Sequence, residues 1–332
     1  MDAFRMMKGA RKIVGVCANV QPGERVAVVT DSAMGAIADV LAAAVTERDA
    51  EAVVIVMEPR AIDGAEAPSM AVAAMKAADV AILPVSYSIS HSEGLREALR
   101  SGTRVVSLAA FTPDQMVRGG IEADFRRIRP VCDELSRRLG DADEARLTTP
   151  GGTDVRLDLS GQPGNSHPCI VDEPGKFTAC PNIEANISPV EGRGDGIIVF
   201  DGSIPNLRLG VVDEPVVVEV EAGSIADIRG GAHARILRDI WARQGDPSVY
   251  NIAQLAVGLN PRCTAFTGVF LNDHGALGTA HIGIGTSANL GGTLQAPLHF
   301  DGMMFEPTLL LDGEPAVEAG TVRVGNARVF EG

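Results

Sequence analysis

Residues 25–30, 52–57, 80–84 and 103–108 are short apolar runs without alternation. The stretches between them, 32–48, 68–78 and 93–100, carry apolar positions three and four apart. Unbroken apolar runs mark strands covered on both faces, and helical spacing between them predicts a parallel, doubly wound sheet. Ser32 stands where the first of those helices needs an N-cap. No G-x-G-x-x-G follows the first run, which removes the dinucleotide-binding reading.

The pattern changes after the amphipathic stretch 124–139 and the polar, turn-prone link 140–144. Beyond it come short runs at 145–149, 154–159, 196–200 and 216–220, punctuated by Gly, Pro and Asp. These predict an antiparallel or mixed sheet. Gly151-Gly-Thr-Asp154 reads as a hairpin turn, and Asp312-Gly313 as another inside an apolar stretch. One helix is expected at 231–244, carrying the only tryptophan, Trp241. The expected class is therefore α/β, with a Rossmann-like domain over residues 1–140. A β-rich α+β domain over 141–332 follows it and carries the chemistry.

That chemistry gathers in Gly278-Thr-Ala-His-Ile-Gly-Ile-Gly285 and Leu298-His-Phe-Asp301. On a strand spanning 295–305, His299 and Asp301 share a face while Phe300 points away. His281 lies among small residues that let backbone come close to a ligand. Two imidazoles and a carboxylate are the ligand set of a mononuclear divalent metal centre with open positions, whether Zn, Mn, Co or Fe(II). Glu184, in an otherwise neutral stretch, is suited to be a further ligand or a general base. Gln254 is a candidate substrate contact. Ser90 and His91 follow the apolar run ending at Pro84, where open α/β sheets place ligands, and His91 is a candidate catalytic and substrate-orienting residue. His167, His233 and His274 lack a supporting frame and are expected at the surface.

Composition narrows the partners. A formal net charge of −14 argues against nucleic acid, which needs clustered Lys and Arg. Five scattered cysteines without C-x-x-C spacing suit a reduced compartment better than a disulfide framework. The N-terminal stretch has no apolar signal core, and no uncharged run reaches membrane-spanning length. A cytoplasmic enzyme of a small molecule is expected, with no membrane partner.

Taken in order, several stretches resemble the aminopeptidase T-like metallopeptidase superfamily, which includes a 2,5-dihydroxypyridine 5,6-dioxygenase branch. They include Val20-Gln-Pro-Gly-Glu-Arg, Ser90-His-Ser92, Thr149-Pro-Gly-Gly-Thr-Asp154, Asn251-Ile-Ala-Gln-Leu-Ala-Val-Gly258, the two histidine motifs above and Pro307-Thr-Leu-Leu-Leu-Asp-Gly313. The resemblance covers nearly the whole chain and implies a homo-oligomer. For the peptidases it implies two metals held by Glu, Glu, His and a His-x-Asp pair. Glu184, His281, His299 and Asp301 match, while Gln254 stands at the second Glu, so one metal is expected. For the dioxygenase it implies a two-His, one-carboxylate iron site. His299 and Asp301 match, a third ligand near Gln254 would have to be replaced by His281, and His91 matches a substrate-contacting histidine.

The first reading of these residues is a metal-dependent hydrolase of a small amide, cyclic amide or peptide. In it, ion-bound water attacks and Glu184 takes the proton. The second is ring cleavage of a hydroxylated N-heterocycle by Fe(II) and O₂. The third is a binding protein without catalysis.

Overall fold

The computed structural model describes residues 3–90, 92–206, 209–288, 290–325 and 330. The chain folds as two compact units, Met1–Arg126 with Cys169–Asn182, and Arg127–Pro168 with Ile183–Gly332.

In the first unit, β1 (Arg25–Asp31), β2 (Glu51–Met57), β3 (Val80–Leu83) and β4 (Arg104–Ser107) form the predicted parallel sheet in the order β2-β1-β3-β4. The apolar runs of β3 and β4 are wholly buried, and β1 is buried beyond its first residue. Val29, Leu83 and Val105 join Met75 and Leu95 of the flanking helices in one core. β2 is an edge, and there the apolar run emerges: Val53 and Val56 are 52% and 62% exposed. A fifth parallel strand, Phe177–Ala179, returns from far along the chain to pair with β4. Three residues with no periodicity gave no sign of it.

The helix after β1 spans Gly35–Thr46, and Ser32 does not cap it. No side chain caps it: Asp31 instead holds a turn ahead of the helix, its carboxylate accepting from the Ala33 N–H and its carbonyl from the Met34 N–H. Among the described residues no helix is long and apolar enough to cross a membrane.

The second unit is built on antiparallel pairing, one of the two arrangements that its short, Gly-, Pro- and Asp-punctuated runs predicted. An eight-stranded sheet runs from Ser224–Arg229 at one edge to Thr321–Val322 at the other. Its hairpin at Asp312-Gly313 has positive φ at both residues (49° and 86°), the requirement of the tight turn that matches strand twist. A five-stranded sheet orders His299–Met304, Ala280–Gly285, Ile252–Gly258, Glu184–Ile187 and Gly164–His167 side by side. Behind it, Trp241 of the helix Ala232–Gln244 packs on Phe300, ring centroids 5.4 Å apart. Phe300 thus occupies the face opposite its neighbours His299 and Asp301.

The strand expected at 295–305 begins only at His299. Pro297 has no donor for a ladder, and the backbone N–H groups of Thr293 and Leu294 donate to the Glu191 carboxylate, at 2.7 Å each. Ser287 and Thr293 hydroxyls also donate to that carboxylate. Burial alone would raise the Glu191 carboxyl, but these donors outweigh it and hold it at about 2, below its usual 4.5. A depressed folded value means that the contribution is complete above about pH 4.5 and fades as pH falls toward 2. Glu191→Gln is therefore expected to lower the thermal midpoint at pH 7, with the gap from wild type closing between pH 4.5 and 2. A gap independent of pH in that window would contradict the assignment.

Candidate metal centre

The five-stranded sheet places the candidate residues on one face. Register pairs Gln254 with Gly283 and Gly283 with Asp301, Ala256 with His281, and Gly258 with Glu184, while His299 lies two residues before Asp301. Directly paired residues share a face, so Glu184, Gln254, His281, His299 and Asp301 converge from four strands. Glu184, Gln254, His281 and Asp301 are buried, and His299 is nearly so.

Gly283 sits at the centre of that face. A Cβ there would lie 2.7 Å from Cβ of Gln254, 2.8 Å from Cε1 of His299 and 2.9 Å from Oδ1 of Asp301. Only a residue without a side chain leaves the cradle into which those groups lean.

Asp301 is the hub. Its Oδ1 lies 3.1 Å from Nε2 of His299 and its Oδ2 lies 3.0 Å from Nε2 of His274. Both imidazoles direct Nδ1 at a main-chain carbonyl, Thr286 at 2.9 Å and Phe270 at 2.7 Å. This is the outer bonding that aims the Nε2 of a metal-ligating histidine. The backbone N–H of Asp301 donates to Asn206 Oδ1.

His274 is a correction. It was expected at the surface, yet it is buried beside Asp301. The five-residue helix Phe270–His274 carries it, fixed by the fully buried Asp273. Asp273 accepts from the backbone N–H groups of Thr267 and Gly268 and from the Ser203 hydroxyl. Asn272-Asp273-His274 directly before the Gly278 motif was the available signal. His167 and His233 are half-buried, not exposed.

Electrostatics separate the imidazoles. Burial pulls His274 toward neutrality, but the Asp301 carboxylate overrides it and holds the ring at about 9. His299 is also raised, with Asp301 outweighing burial. For Asp301 burial works upward, and the two facing rings hold the carboxyl well below its usual value. His281 has no such partner: burial brings it to about 4, only partly offset by Glu184. It is neutral, and its Nδ1 is buried with no hydrogen-bond partner. A buried neutral imidazole nitrogen with nothing to bind suits a cation.

Ligand atoms of His274, His281 and Asp301 all lie within 4.8 Å of one another. Ligands of one ion, bonded at about 2.1 Å, are at most about 4.2 Å apart, so sub-ångström movements suffice for these three to share one. The donor set and the Gly283 cradle thus fit a metal ion.

Gln254 is not among these donors. Its Nε2 donates to Glu184 Oε1 at 3.3 Å and lies 3.4 Å from His281 Nε2. Asn186 also donates to Glu184 Oε1, at 2.8 Å, and itself accepts from Asn165. This amide chain, which sequence reasoning missed, orients the carboxylate; Asn186 shares a strand face with Glu184, two residues away. Ser90 lies beyond the carboxyl end of β3 in the first unit, its hydroxyl bonded to those of Ser88 and Ser107. His91 lies outside the described residues.

Comparison with known proteins gives this arrangement its family. One curated relative, the 2,5-dihydroxypyridine 5,6-dioxygenase of Pseudomonas putida, is 28% identical over 260 residues, 75% of this chain and 73% of that protein. The solved structure of 2,5-dihydroxypyridine dioxygenase from Pseudomonas putida KT2440 superposes with a TM-score of 0.84 at 22% identity, covering 98% of this chain and 99% of that one. AmpT from Thermus thermophilus shares the fold more distantly, with a TM-score of 0.67 at 14% identity over 97% and 99% of the two chains. The expectation of a metallohydrolase is thereby corrected: it drew on the peptidase side of the resemblance, where the likeness is one of fold alone. A family model described as 2,5-dihydroxypyridine 5,6-dioxygenase (NicX) matches residues 5–324, and the chain belongs to that family.

Proposed function

We propose that this chain is a non-haem Fe(II) dioxygenase that opens the ring of a hydroxylated N-heterocycle such as 2,5-dihydroxypyridine. The observation that supports it best is the buried Asp301 carboxylate with an imidazole on each oxygen and the neutral His281 beside them. In this reading His299, Asp301 and His281 hold the ion together with His274. His281 would take the part of the third ligand that the resemblance implied near Gln254, and His274 would add a further imidazole. When bound, Fe(II) supplies the one-electron chemistry that lets ground-state O₂ react with a closed-shell ring, with both oxygen atoms ending in the product and no external reductant.

Glu184, oriented by Gln254 and Asn186, takes the proton of a ring hydroxyl at its carboxylate. Gln254 keeps Glu184 and His281 at fixed separation without adding charge. The burial of Glu184, His281 and Asp301 keeps bulk water from the reacting ring.

The test is anaerobic loading with Fe(II), addition of 2,5-dihydroxypyridine, then admission of O₂. One O₂ consumed per ring lost is expected, and no loss of the ring while O₂ is withheld. Ring consumption under anaerobic conditions, or turnover equally supported by Zn²⁺, would overturn the proposal.

A further inference from the structure

The second site is made of thiols. Cys17, Cys169 and Cys180 are scattered along the sequence, yet their sulfurs lie within 4.8 Å of one another, all fully buried, in the first unit. Sγ of Cys169 is 3.7 Å from Sγ of Cys17, and each thiol is within hydrogen-bonding reach of the other two. We propose that these cysteines form a structural site for a thiophilic d¹⁰ cation, Zn(II) or Cu(I), separate from the Asp301 centre.

The spacing carries the proposal. Zn–S bonds of about 2.3 Å place two sulfurs of a tetrahedral site about 3.8 Å apart, and those of a flat trigonal site about 4.0 Å apart. The observed 3.7 Å separation therefore needs almost no adjustment. A disulfide would instead require the sulfurs to close to about 2.05 Å inside a packed core. Soft thiolates select Cu(I) and Zn(II) over the harder ions that carboxylate and imidazole sites accept.

The chain also departs from regular structure to bring the thiols together. Cys17 ends a π-helix, Ile13–Cys17, a rare form that recurs at functional sites. Cys169 adopts φ +59°, in the left-handed region that is unfavourable for an ordinary residue and persists only where the surrounding structure enforces it. The Cys17 carbonyl accepts from the Val171 N–H at 2.8 Å, fastening the two segments beside the sulfurs. The Lys12 ammonium, bonded to the Ala123 carbonyl, lies within electrostatic reach of Cys17 and Cys180 and would offset part of the negative charge of a thiolate–metal cluster. Binding forms three S–metal bonds and releases the thiol protons to solvent.

Co(II) added to the full chain in reducing buffer tests this, because sulfur-to-cobalt charge-transfer absorption arises from thiolate ligands alone and the Asp301 centre has none. We expect that absorption in wild type, and its loss in Cys17→Ser and Cys169→Ser. Cys132→Ser and Cys263→Ser, which alter buried cysteines elsewhere, should keep it. Should the cluster variants misfold, native mass spectrometry of wild type with Zn(II) gives the independent reading: one ion beyond that lost in Asp301→Ala, and no disulfide. Absence of the charge-transfer band in wild type, its survival in Cys17→Ser, or a Cys17–Cys169 disulfide that persists in the reducing buffer would each overturn the proposal. None of these outcomes depends on whether the chain is a dioxygenase.

Discussion

Asp301→Ala is expected to abolish ring cleavage and bring bound iron to background. The carboxylate serves two imidazoles at once, one oxygen facing His274 and the other His299. In the proposed centre, its removal takes away a ligand and the charge that both rings face. Loss of an outer partner of a metal ligand costs about 10–100-fold in affinity or activity, and loss of a ligand that is also the hub should exceed about 100-fold. In the metal-free protein, removing one partner of a buried charged group costs about 3–5 kcal/mol, reduced here because the His274 ring, held at about 9 by Asp301, sheds its proton once that carboxylate is gone. Asp301→Asn keeps the shape without the charge and should lose metal almost as completely. Elemental analysis beside O₂ uptake decides the matter, with far-UV circular dichroism verifying the fold. If either variant retains wild-type iron and turnover, the centre is not built on Asp301.

How far this centre could be read from the chain depends on which physical rule sets each part. His299 and Asp301 were legible because a two-residue spacing fixes a shared strand face wherever the strand pairs. β1, β3 and β4 were legible for a similar reason: strands covered on both faces become apolar runs. His274 was not legible, because its position depends on Asp273 gathering donors from Thr267, Gly268 and Ser203 around a single helical turn. No periodicity encodes that. The strand Phe177–Ala179 failed for lack of length, and Ser32 as a cap because Asp31 satisfied the turn first. The chemistry was the hardest part to read. Two imidazoles and a carboxylate serve a hydrolytic metal and an oxygen-activating one equally well, so the ligand set named both reactions. Gln254 at the second Glu weakened the two-metal hydrolase, but it took the family match over residues 5–324 to move the balance.

The second large effect is expected at a residue with no functional group. Gly283→Ala adds one methyl to the floor of the site, where it meets Gln254 Cβ at 2.7 Å, His299 Cε1 at 2.8 Å and Asp301 Oδ1 at 2.9 Å. All three lie below normal contact, and none can withdraw freely. Cβ of Gln254 is fixed by its backbone, the His299 ring is held by the Thr286 carbonyl, and Asp301 is held by His274 at its carboxylate and by Asn206 at its backbone N–H. Overpacking of this kind costs about 1–3 kcal/mol. Here the proposed ligands His299 and Asp301 are what must move, so the loss of iron and turnover should be out of proportion to the loss of stability. Gly302→Ala is the matched control: its Cβ would meet the Phe200 ring at 2.2 Å, on the opposite face of the same sheet. That variant should lower the thermal midpoint at least as much while retaining iron in the protein that folds. Equal metal retention by the two variants at equal destabilisation would mean that Gly283 acts only through packing and that the ion is held elsewhere.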